Sequence, residues 1–389
     1  MCVHYTAEHG YPMYAIQLSR AVATYLERSA HWEDAARVHE LTRRVCRRIG
    51  DREGEARVEL ELSLVRSRTG HYAAALEHAV KGIDAFRALG NKGGEADMLD
   101  HLARLSWLSG RNQEALEHAR KAIALFRAIG DRHGEGNALL HAGIALSYLG
   151  LAEEAMAAFE SCLEIANGTG DVATKAMVVN NFGELHFSHG DYHSALRLFR
   201  EALAILRAAG WRQNEAVGLN NVANCHEREG RRDEALHFYR EALAICRETG
   251  DRRHESHTLS NIGSTYLGMN LNAEALIHSQ KALAIAQNIG DPYESSRALQ
   301  RIGDSQRHSG QFASALGSYE RALALAHELG NPFLEASSLM GLGEALLCLH
   351  DRKAAERPWR QALTIFERLR APEAESLRER LDTLRTTGA

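Results

Sequence analysis

Glycine recurs at intervals of 40 residues along most of this 389-residue chain. A second series lies halfway between, with Asn270 and His350 where glycine would stand. Glycine just past a helix end adopts the left-handed backbone conformation that closes the helix at low cost, and asparagine is the next choice. Each repeat is therefore predicted to contain two helix ends, and hence one helical hairpin. The two series are Gly50, Gly90, Gly130, Gly170, Gly210, Gly250, Gly290 and Gly330, and Gly70, Gly110, Gly150, Gly190, Gly230 and Gly310.

The residues that follow the first glycine series are typical of helix starts. Most are Asp or Asn, whose side chains accept hydrogen bonds from the free amides of the next helix, and Glu often follows in the first turn, where it favours the positive helix end. Pro292 and Pro332 suit the first helical position. Trp211 departs from this pattern, so we expect a differently shaped turn there with an exposed aromatic ring. The expected caps are Asp51, Asn91, Asp131, Asp171, Asp251, Asp291 and Asn331.

Packing positions recur with the same period. The first helix of each repeat (helix A) carries a small residue such as Gly183, and the second (helix B) carries an alanine, an aromatic and another alanine, as in Ala195, Phe199 and Ala202. Small residues facing large ones allow helices to approach closely and fill a continuous core. A single hairpin cannot bury both of its faces, so each repeat depends on its neighbours.

This pattern resembles the tetratricopeptide repeat family, in a long variant like that of kinesin light chain and Pins-type adaptors. It also resembles the C-terminal arrays of large actinobacterial transcriptional regulators, in which strings such as ALAICRETGDRRHESHTLSNIGSTYLG are typical. The resemblance covers about residues 12–370. It implies an all-α, right-handed α-solenoid of about nine hairpins with a C-terminal capping helix.

We expect three parts: residues 1–50 as a degenerate N-terminal capping hairpin, 51–370 as eight full hairpins, and 371–389 as a capping helix and tail. Pro358 lies inside the last helix B. Because proline removes one backbone hydrogen bond and clashes with the preceding turn, we expect a kink or a late helix start near residues 353–357.

The composition argues against several classes of protein. The net charge of −5 gives no general attraction to nucleic acid or anionic membranes, and no apolar stretch approaches the ~20 residues that span a bilayer. No basic-then-apolar leader opens the chain, and six cysteines without a CxxC pair indicate reduced thiols. We therefore expect a cytoplasmic protein without membrane or direct nucleic-acid contact. Catalytic motifs are absent, so we expect neither an enzyme nor a cofactor.

Two other features invite a binding site. His186 and His226 occupy equivalent positions in consecutive A helices, but zinc needs further ligands at suitable spacing, so we interpret them as packing residues and predict no metal. Arg43, Arg44 and Arg47, with Arg48 beside them, could bind phosphate or an acidic partner. The favoured interpretation is that they complement the negative end of a helix.

In a hairpin solenoid, helix A lines the inner, concave groove. Positions 2, 5, 9, 12 and 13 of each repeat then face a partner. Asn180 and Asn220 suit clamping of an extended peptide, because asparagine offers both a donor and an acceptor; peptide-sensing relatives are expected to use such asparagines. Alternatively these residues bond between repeats, as expected for Asn181, Asn221 and Asn261. The candidate partner-binding residues are Asp100, Arg104, Trp107, Tyr148, Asn180, Glu184, Asn220, Asn224, Arg228, Arg297, Gln300, Asp304 and Arg307.

The expected function is binding of a protein or peptide in this groove, as the sensor array of a bacterial transcriptional regulator. The alternative is a constitutive adaptor that bridges two proteins without sensing a ligand. Imperfect caps at both ends leave self-association open, either end to end or through the groove.

Overall fold

The computed structural model describes residues 2–28, 31–69, 71–369, 371 and 373–386. Within these ranges the only regular secondary structure is α-helix. The helices are α1 (Cys2–Glu8), α2 (Pro12–Arg28), α3 (Trp32–Ile49), α4 (Arg52–Arg68), α5 (Tyr72–Ala88), α6 (Lys92–Leu108), α7 (Asn112–Ile129), α8 (Arg132–Tyr148), α9 (Ala152–Thr169), α10 (Val172–Ser188), α11 (Tyr192–Ala208), α12 (Arg212–Arg228), α13 (Arg232–Thr249), α14 (Arg252–Gly268), α15 (Asn272–Asn288), α16 (Pro292–His308), α17 (Phe312–Leu329), α18 (Pro332–Cys348), α19 (Arg352–Leu369) and α20 (Glu373–Thr386).

The glycine series end the helices as predicted. Gly50 has φ 73°, and its amide and the next one donate to carbonyls of the preceding turn, Gly50 N to Arg47 O at 3.3 Å and Asp51 N to Cys46 O at 2.9 Å. The replacements behave as glycine does, with φ 61° at Asn270 and 63° at His350. Gly70 lies outside the described residues.

The predicted caps are also confirmed. The Asp51 side chain accepts a hydrogen bond from the Gly54 amide at 2.8 Å, and the other six Asp and Asn caps make the equivalent bond. The expectation of a differently shaped turn at Trp211 is wrong. Trp211 N bonds to Leu206 O at 3.1 Å as in the other turns, and the ring is half-buried. The turn depends on backbone hydrogen bonds and on Gly210, so losing the capping side chain leaves its shape unchanged.

A further contact recurs across several of these junctions, from the last turn of helix B to the first turn of the next helix A. Arg127 Nε lies 2.6 Å from Glu135 Oε1, and Arg207 Nε lies 2.7 Å from Glu215 Oε1. The glutamates therefore do more than favour a helix end: each joins two repeats. The pairs are Arg47–Glu55, Arg87–Glu95, Arg127–Glu135, Arg207–Glu215 and Arg247–Glu255.

Close approach of the A and B helices depends on the small residues identified in the sequence. A Cβ atom added at Gly183 would lie 2.6 Å from the Phe199 ring, and one at Gly303 would lie 2.7 Å from the Tyr319 ring. Both rings are about 1% exposed. Glycine in helix A therefore provides the space that the helix B aromatic fills, as the small-against-large pattern predicted.

Of the kink or late helix start expected at Pro358, the late start is wrong. Helix α19 begins at Arg352 and continues through Pro358 to Leu369. Ala355, Trp359 and Ala362 are buried against the neighbouring helices. This tertiary packing holds residues 352–357 helical despite the hydrogen bond that proline removes.

The chain divides into two compact units, residues 1–181 and 182–389, with the division inside α10. In each unit consecutive helices pack as pairs, and most A helices also contact the next A helix, as α6 contacts α8 and α14 contacts α16. The chain is thus an all-α array of helical hairpins. In the second unit α20 packs on the last hairpin, burying Leu377 and Leu381 against it. Among the described helices, none has the length and apolar character needed to cross a membrane.

Candidate partner-binding face

The candidate residues lie on the A helices, on the surface we call the A-helix face. In the first unit it comprises Asp100, Arg104, Trp107, Tyr148 and Asn180. In the second it comprises Glu184, Asn220, Asn224, Arg228, Arg297, Gln300, Asp304 and Arg307.

In the first unit the polar candidates contact neighbouring A helices. Asp100 accepts a hydrogen bond from His141 Nδ1 at 2.6 Å, and Arg104 Nη2 donates to Ser67 Oγ at 3.1 Å. The rings of Trp107 and Tyr148 lie 6.0 Å apart at 52°.

Of this pair, Tyr148 is 60% exposed and Trp107 is half-buried. Asn180 is also half-buried. The aromatic pair is thus the most open part of the face in this unit, whereas Asp100 and Arg104 already hold adjacent helices together.

Glu184 is the most distinctive acid of the second unit. Its side chain is exposed, and it pairs with no other side chain among the described residues. The surrounding protein nevertheless displaces part of its hydration, and this desolvation raises the pKa of Glu184 to about 7. Glu184 is therefore an accessible acceptor that gains from any donor or cation that reaches it.

Asn220 and Asn224 lie one turn apart in α12 but have different surroundings. Asn220 is 3% exposed, and its Nδ2 donates to Ala216 O and to Thr258 Oγ1, both at 2.9 Å. Asn224 is half-buried and accepts a hydrogen bond from the Tyr239 hydroxyl. In this conformation Asn220 bonds between repeats, the alternative left open by the sequence, whereas Asn224 remains partly open.

At the end of α12, Arg228 is exposed, with its guanidinium carbon 5.8 Å from the centre of the Phe187 ring. Phe187 also packs edge-on against Tyr192 at 5.2 Å. Burial raises the pKa of the neighbouring Glu227. An arginine over an aromatic ring contributes about 0.5–1 kcal/mol at an exposed site, so Arg228 is weakly held and available to a partner.

Two candidates on α16 are already engaged. Arg297 Nη1 lies 3.3 Å from Glu294 Oε2 and contacts the His257 ring. Burial alone would raise the pKa of Glu294, but Arg297 and His257 hold it well below its usual range. Gln300 donates through Nε2 to Ser338 Oγ at 2.8 Å. These contacts join α16 to the A helices on either side.

The remaining two lie one turn further along α16. Asp304 accepts a hydrogen bond from the Tyr319 hydroxyl at 2.7 Å and pairs with Arg301 at 3.2 Å. Arg307 lies 2.9 Å from Glu344 Oε2. Both are therefore engaged with neighbours within the protein, although Arg307 Nε is buried without a hydrogen-bond partner.

The position of each acid or amide relative to helix B accounts for much of this difference. Asn224 and Asp304 each precede by 15 residues a tyrosine whose hydroxyl reaches them. Glu184 precedes Phe199 by the same interval, and phenylalanine has no hydroxyl to donate. Comparing positions 15 residues apart is a sequence signal that would have separated Glu184 from Asp304.

The two histidines differ as well. His186 is partly exposed and lies 3.1 Å from Asp191 Oδ2, whereas His226 is 3% exposed and stacks on Phe238 at 5.2 Å. Burial lowers the pKa of His226. Across the described residues, no group of three His, Cys, Asp or Glu side chains is arranged to hold a metal ion.

The expectation that Asn181 hydrogen-bonds between repeats needs correction, because its Nδ2 donates to Met177 O in its own helix.

The arginine run lies at the end of α3. Arg43 pairs with Glu40 and Glu59, and Arg47 pairs with Glu55. Arg48 donates to the Ala7 carbonyl, so three of the four arginines have partners within the protein. A phosphate would have to displace these contacts.

Comparison with known proteins accords with this architecture. The tetratricopeptide repeat profile matches residues 94–168, 214–288 and 294–368, and a second profile of the same description matches residues 176–209. No curated protein sequence matches the chain.

Solved structures share the fold at low sequence identity. A Rap protein complexed with competence and sporulation factor is 14% identical, with a TM-score of 0.60, covering 81% of this chain and 98% of its own. The Rap conjugation gene regulator of a plasmid, in complex with the Phr peptide, is 14% identical with a TM-score of 0.60, covering 84% and 94%.

A third similar structure is a signal transduction ATPase with numerous domains from Pyrococcus horikoshii, which carries a tetratricopeptide repeat sensor. It is 15% identical with a TM-score of 0.54, and the match covers 90% of this chain and 54% of that one. The first set of profile matches alone spans more than half of the sequence, and the chain belongs to the tetratricopeptide repeat family.

Proposed function

We propose that this chain binds a protein or peptide on the A-helix face and acts as the sensor array of a bacterial transcriptional regulator. The observation that carries the proposal is that the side chains of Glu184 and Arg228 are exposed and available to a ligand. Among the described residues, the Glu184 carboxylate is exposed and pairs with no other side chain, and the exposed Arg228 guanidinium lies over an aromatic ring. On α16, by contrast, Asp304 and Arg307 are engaged with neighbours.

The similar structures also support binding of a peptide or protein. Two of them are described with a bound peptide or factor, and a third carries its repeats as a sensor. Identities of 14–15% are evidence for a common fold alone. The regulatory role of this chain is therefore part of our proposal. Stacked A helices in this fold form a groove suited to an extended segment.

The chemistry of the face restricts the ligand. Asn224 can accept or donate through its amide, Glu184 accepts, and Arg228 donates. A peptide with a basic side chain and a free backbone carbonyl satisfies all three. We place the ligand on these residues and leave Asn220, which is 3% exposed, as a structural residue.

Selection of a displayed random-peptide library on the full chain tests the proposal. Enriched peptides should lose at least tenfold in affinity on Glu184→Gln or Arg228→Ala, because each variant removes a charge-assisted contact. Ile277→Ala on α15, where the side chain is 49% exposed, is the matched control and should bind unchanged. Peptides that bind both variants as tightly as the parent chain would refute this site.

The alternative, a constitutive adaptor, makes a different prediction. An adaptor retains its protein partner whether or not the selected peptide is present, whereas a sensor changes its affinity or shape when the peptide binds. Partner pulldown with and without the peptide, followed by hydrogen exchange of the A helices, separates the two.

A further inference from the structure

A cavity of about 290 Å³ lies at the junction around Gly50, between the end of α3, the start of α4 and the length of α5. Part of its wall is apolar and comes from Ala88 at the end of α5 and from Leu89 just beyond it. None of the lining residues belongs to the A-helix face. The charged side chains in the wall are Arg47, Arg52, Glu55, Glu59 and Lys81.

Both acids of this cavity are already paired. Glu59 is 3% exposed, with its carboxylate oxygens 3.2 Å from Arg43 Nη1 and 2.6 Å from His78 Nδ1. The Glu55 carboxylate pairs with Nε of Arg47. Neither acid is therefore available to neutralise another cation of the wall without giving up a partner.

The two remaining cations, Arg52 and Lys81, have no such partner. Both are exposed, and among the described residues neither side chain makes a hydrogen bond or an ion pair. The cavity therefore carries an excess of positive charge that faces solvent and is open to a ligand.

The junction at Gly210, 160 residues further along, has the same two arginines with their charge balanced. Arg207 Nη2 lies 2.5 Å from Glu241 Oε1. Arg212 Nη2 lies 2.7 Å from Glu248 Oε2. Two carboxylates from the following helix B thus neutralise the arginines of this junction.

At the Gly50 junction both of these carboxylates are missing. Lys81 occupies the position of Glu241, and Ala88 occupies the position of Glu248. Arg52 therefore lacks the acceptor that its counterpart has, and the cavity lies beside it. An anion bound there would take the place of the missing side chains.

Two other junctions carry a lysine at the position of Lys81, but they differ in the arginine. At one of them Lys281 is present, but Arg252 there is held by Glu255. At the other, Lys121 accompanies Lys92, and a lysine cannot form the two parallel hydrogen bonds that a guanidinium offers. The Gly50 junction combines a free arginine, a free lysine and a cavity.

We propose that this cavity binds a phosphate monoester, with the phosphate on Arg52 and Lys81 and its organic group on Ala88 and Leu89. A phosphate monoester carries about −1.5 to −2 charges at pH 7, which matches two cations without partners. Its oxygens accept two parallel hydrogen bonds from a guanidinium and a further one from an ammonium group. The volume is at the lower end of ligand pockets, so the organic group is small.

Calorimetric titration of the full chain with phenyl phosphate at pH 7.5 tests the site, at low salt because screening weakens exposed contacts. We expect a dissociation constant on the order of 1 mM, since both cations are exposed. Arg52→Gln and Lys81→Gln should each weaken binding about fivefold, because each removes one charge-assisted contact. Lys281→Gln is the matched control and should bind unchanged.

Ala88→Glu is the sharper variant, because it gives Arg52 the carboxylate that Glu248 gives Arg212. It should abolish binding, and it should leave the fold intact because Ala88 is exposed, which far-UV circular dichroism checks. In that background, Glu241→Lys combined with Glu248→Ala should create the site at the Gly210 junction and restore binding. Failure to restore it would contradict the role of the missing carboxylates.

Two further probes distinguish the source of the anion. Inorganic phosphate should bind more weakly than phenyl phosphate, because it leaves Leu89 uncovered, and equal affinity would assign the cavity to free phosphate and overturn the monoester. Phenol should not bind, and phenol that binds as tightly as phenyl phosphate would show that charge plays no part. Phenyl phosphate binding that survives Ala88→Glu would overturn the site, and so would no saturable binding to the parent chain up to about 10 mM.

Discussion

The repeat that contains Glu184 and the repeat that contains Asp304 pack their two helices in the same way, but the Asp304 carboxylate is hydrogen-bonded within its repeat and the Glu184 carboxylate is not. In both, a glycine of helix A lies against an aromatic ring of helix B, Gly183 with Phe199 and Gly303 with Tyr319. Only the tyrosine presents a hydroxyl, which donates to Asp304 at 2.7 Å.

The hydroxyl is thus one difference between an acid that is held within its repeat and an acid that remains open. A second is Arg301, which pairs with Asp304, where the Glu184 repeat has Asn181. The difference teaches that the packing frame and the polar surface of a repeat can change independently. A binding position can arise where a helix B tyrosine is replaced by phenylalanine, without any change in the core. The three predictions below test this comparison.

The largest effect is expected from Gly303→Ala. The new Cβ would lie 2.7 Å from the Tyr319 ring, which also packs so closely on Gly341 that a Cβ there would lie 2.4 Å from it. The ring therefore has little room to move away. Overpacking of this kind costs about 1–3 kcal/mol, and displacement of the hydroxyl from Asp304 adds to it. Thermal unfolding should show a clearly lower midpoint.

The control for Gly303→Ala lies in the same hairpin. A Cβ at Gly317 would meet nothing within 4 Å, so Gly317→Ala should stabilise α17 by about 0.5–1 kcal/mol. If both variants lower the midpoint equally, close packing at Gly303 is not the cause.

A smaller effect is expected from Tyr319→Phe, which converts the Asp304 repeat into the Glu184 type. The variant keeps the ring and removes the donor to a carboxylate, so a loss of about 1–2 kcal/mol is expected. Tyr239→Phe, whose hydroxyl donates to the neutral Asn224, should cost less, about 0.5–1.5 kcal/mol. Urea denaturation of the two variants side by side measures the order, and equal losses would contradict the role assigned to charge.

The smallest effect concerns pH. Desolvation raises the pKa of Glu184 to about 7, so the folded chain binds this proton more tightly than the unfolded chain. Its contribution to stability is therefore full below pH ~4.5 and is lost as the pH rises through 7. Because Glu184 is exposed, solvent screening limits the loss to about 1 kcal/mol or less.

Glu184→Gln should remove this part of the pH dependence and should be the more stable chain at pH 8. Phe199→Tyr should reduce it by supplying the missing donor. The test is the difference in unfolding free energy between the parent chain and Glu184→Gln, measured from pH 5 to pH 8. A difference that does not change with pH would show that Glu184 titrates as an ordinary surface acid.

Much of the fold could be predicted because its determinants are local. A left-handed turn residue, a capping side chain and an alternation of small and large residues each act within a few positions, and their 40-residue period is visible in the sequence. Pro358 shows the limit of this reasoning. The local rule predicted a kink or a late helix start, yet α19 begins at Arg352 and is helical through Pro358.

The candidate face was harder to predict because exposure depends on partners far along the chain. Asn220 and Asn224 are the same residue type one turn apart, yet Thr258, 38 positions away, binds the first and Tyr239 binds the second. Register alone placed both on the same surface. Whether a side chain there is open depends on which residues the neighbouring helices bring to it, and neither the period nor the composition contains that information.

The arginine–glutamate pairs across the junctions also bear on how the array would respond to a mechanical load. The junction at Gly170 has Asn167 and Lys175 at the paired positions, and the junction at Gly290 has Gln287 and Ser295, so neither can form the pair. Links connected in series all carry the same tension, and the weakest yields first. A chain pulled from its two ends would therefore lack one partly exposed ion pair, worth about 0–1 kcal/mol, at each of these two junctions, where helix packing would carry the load instead.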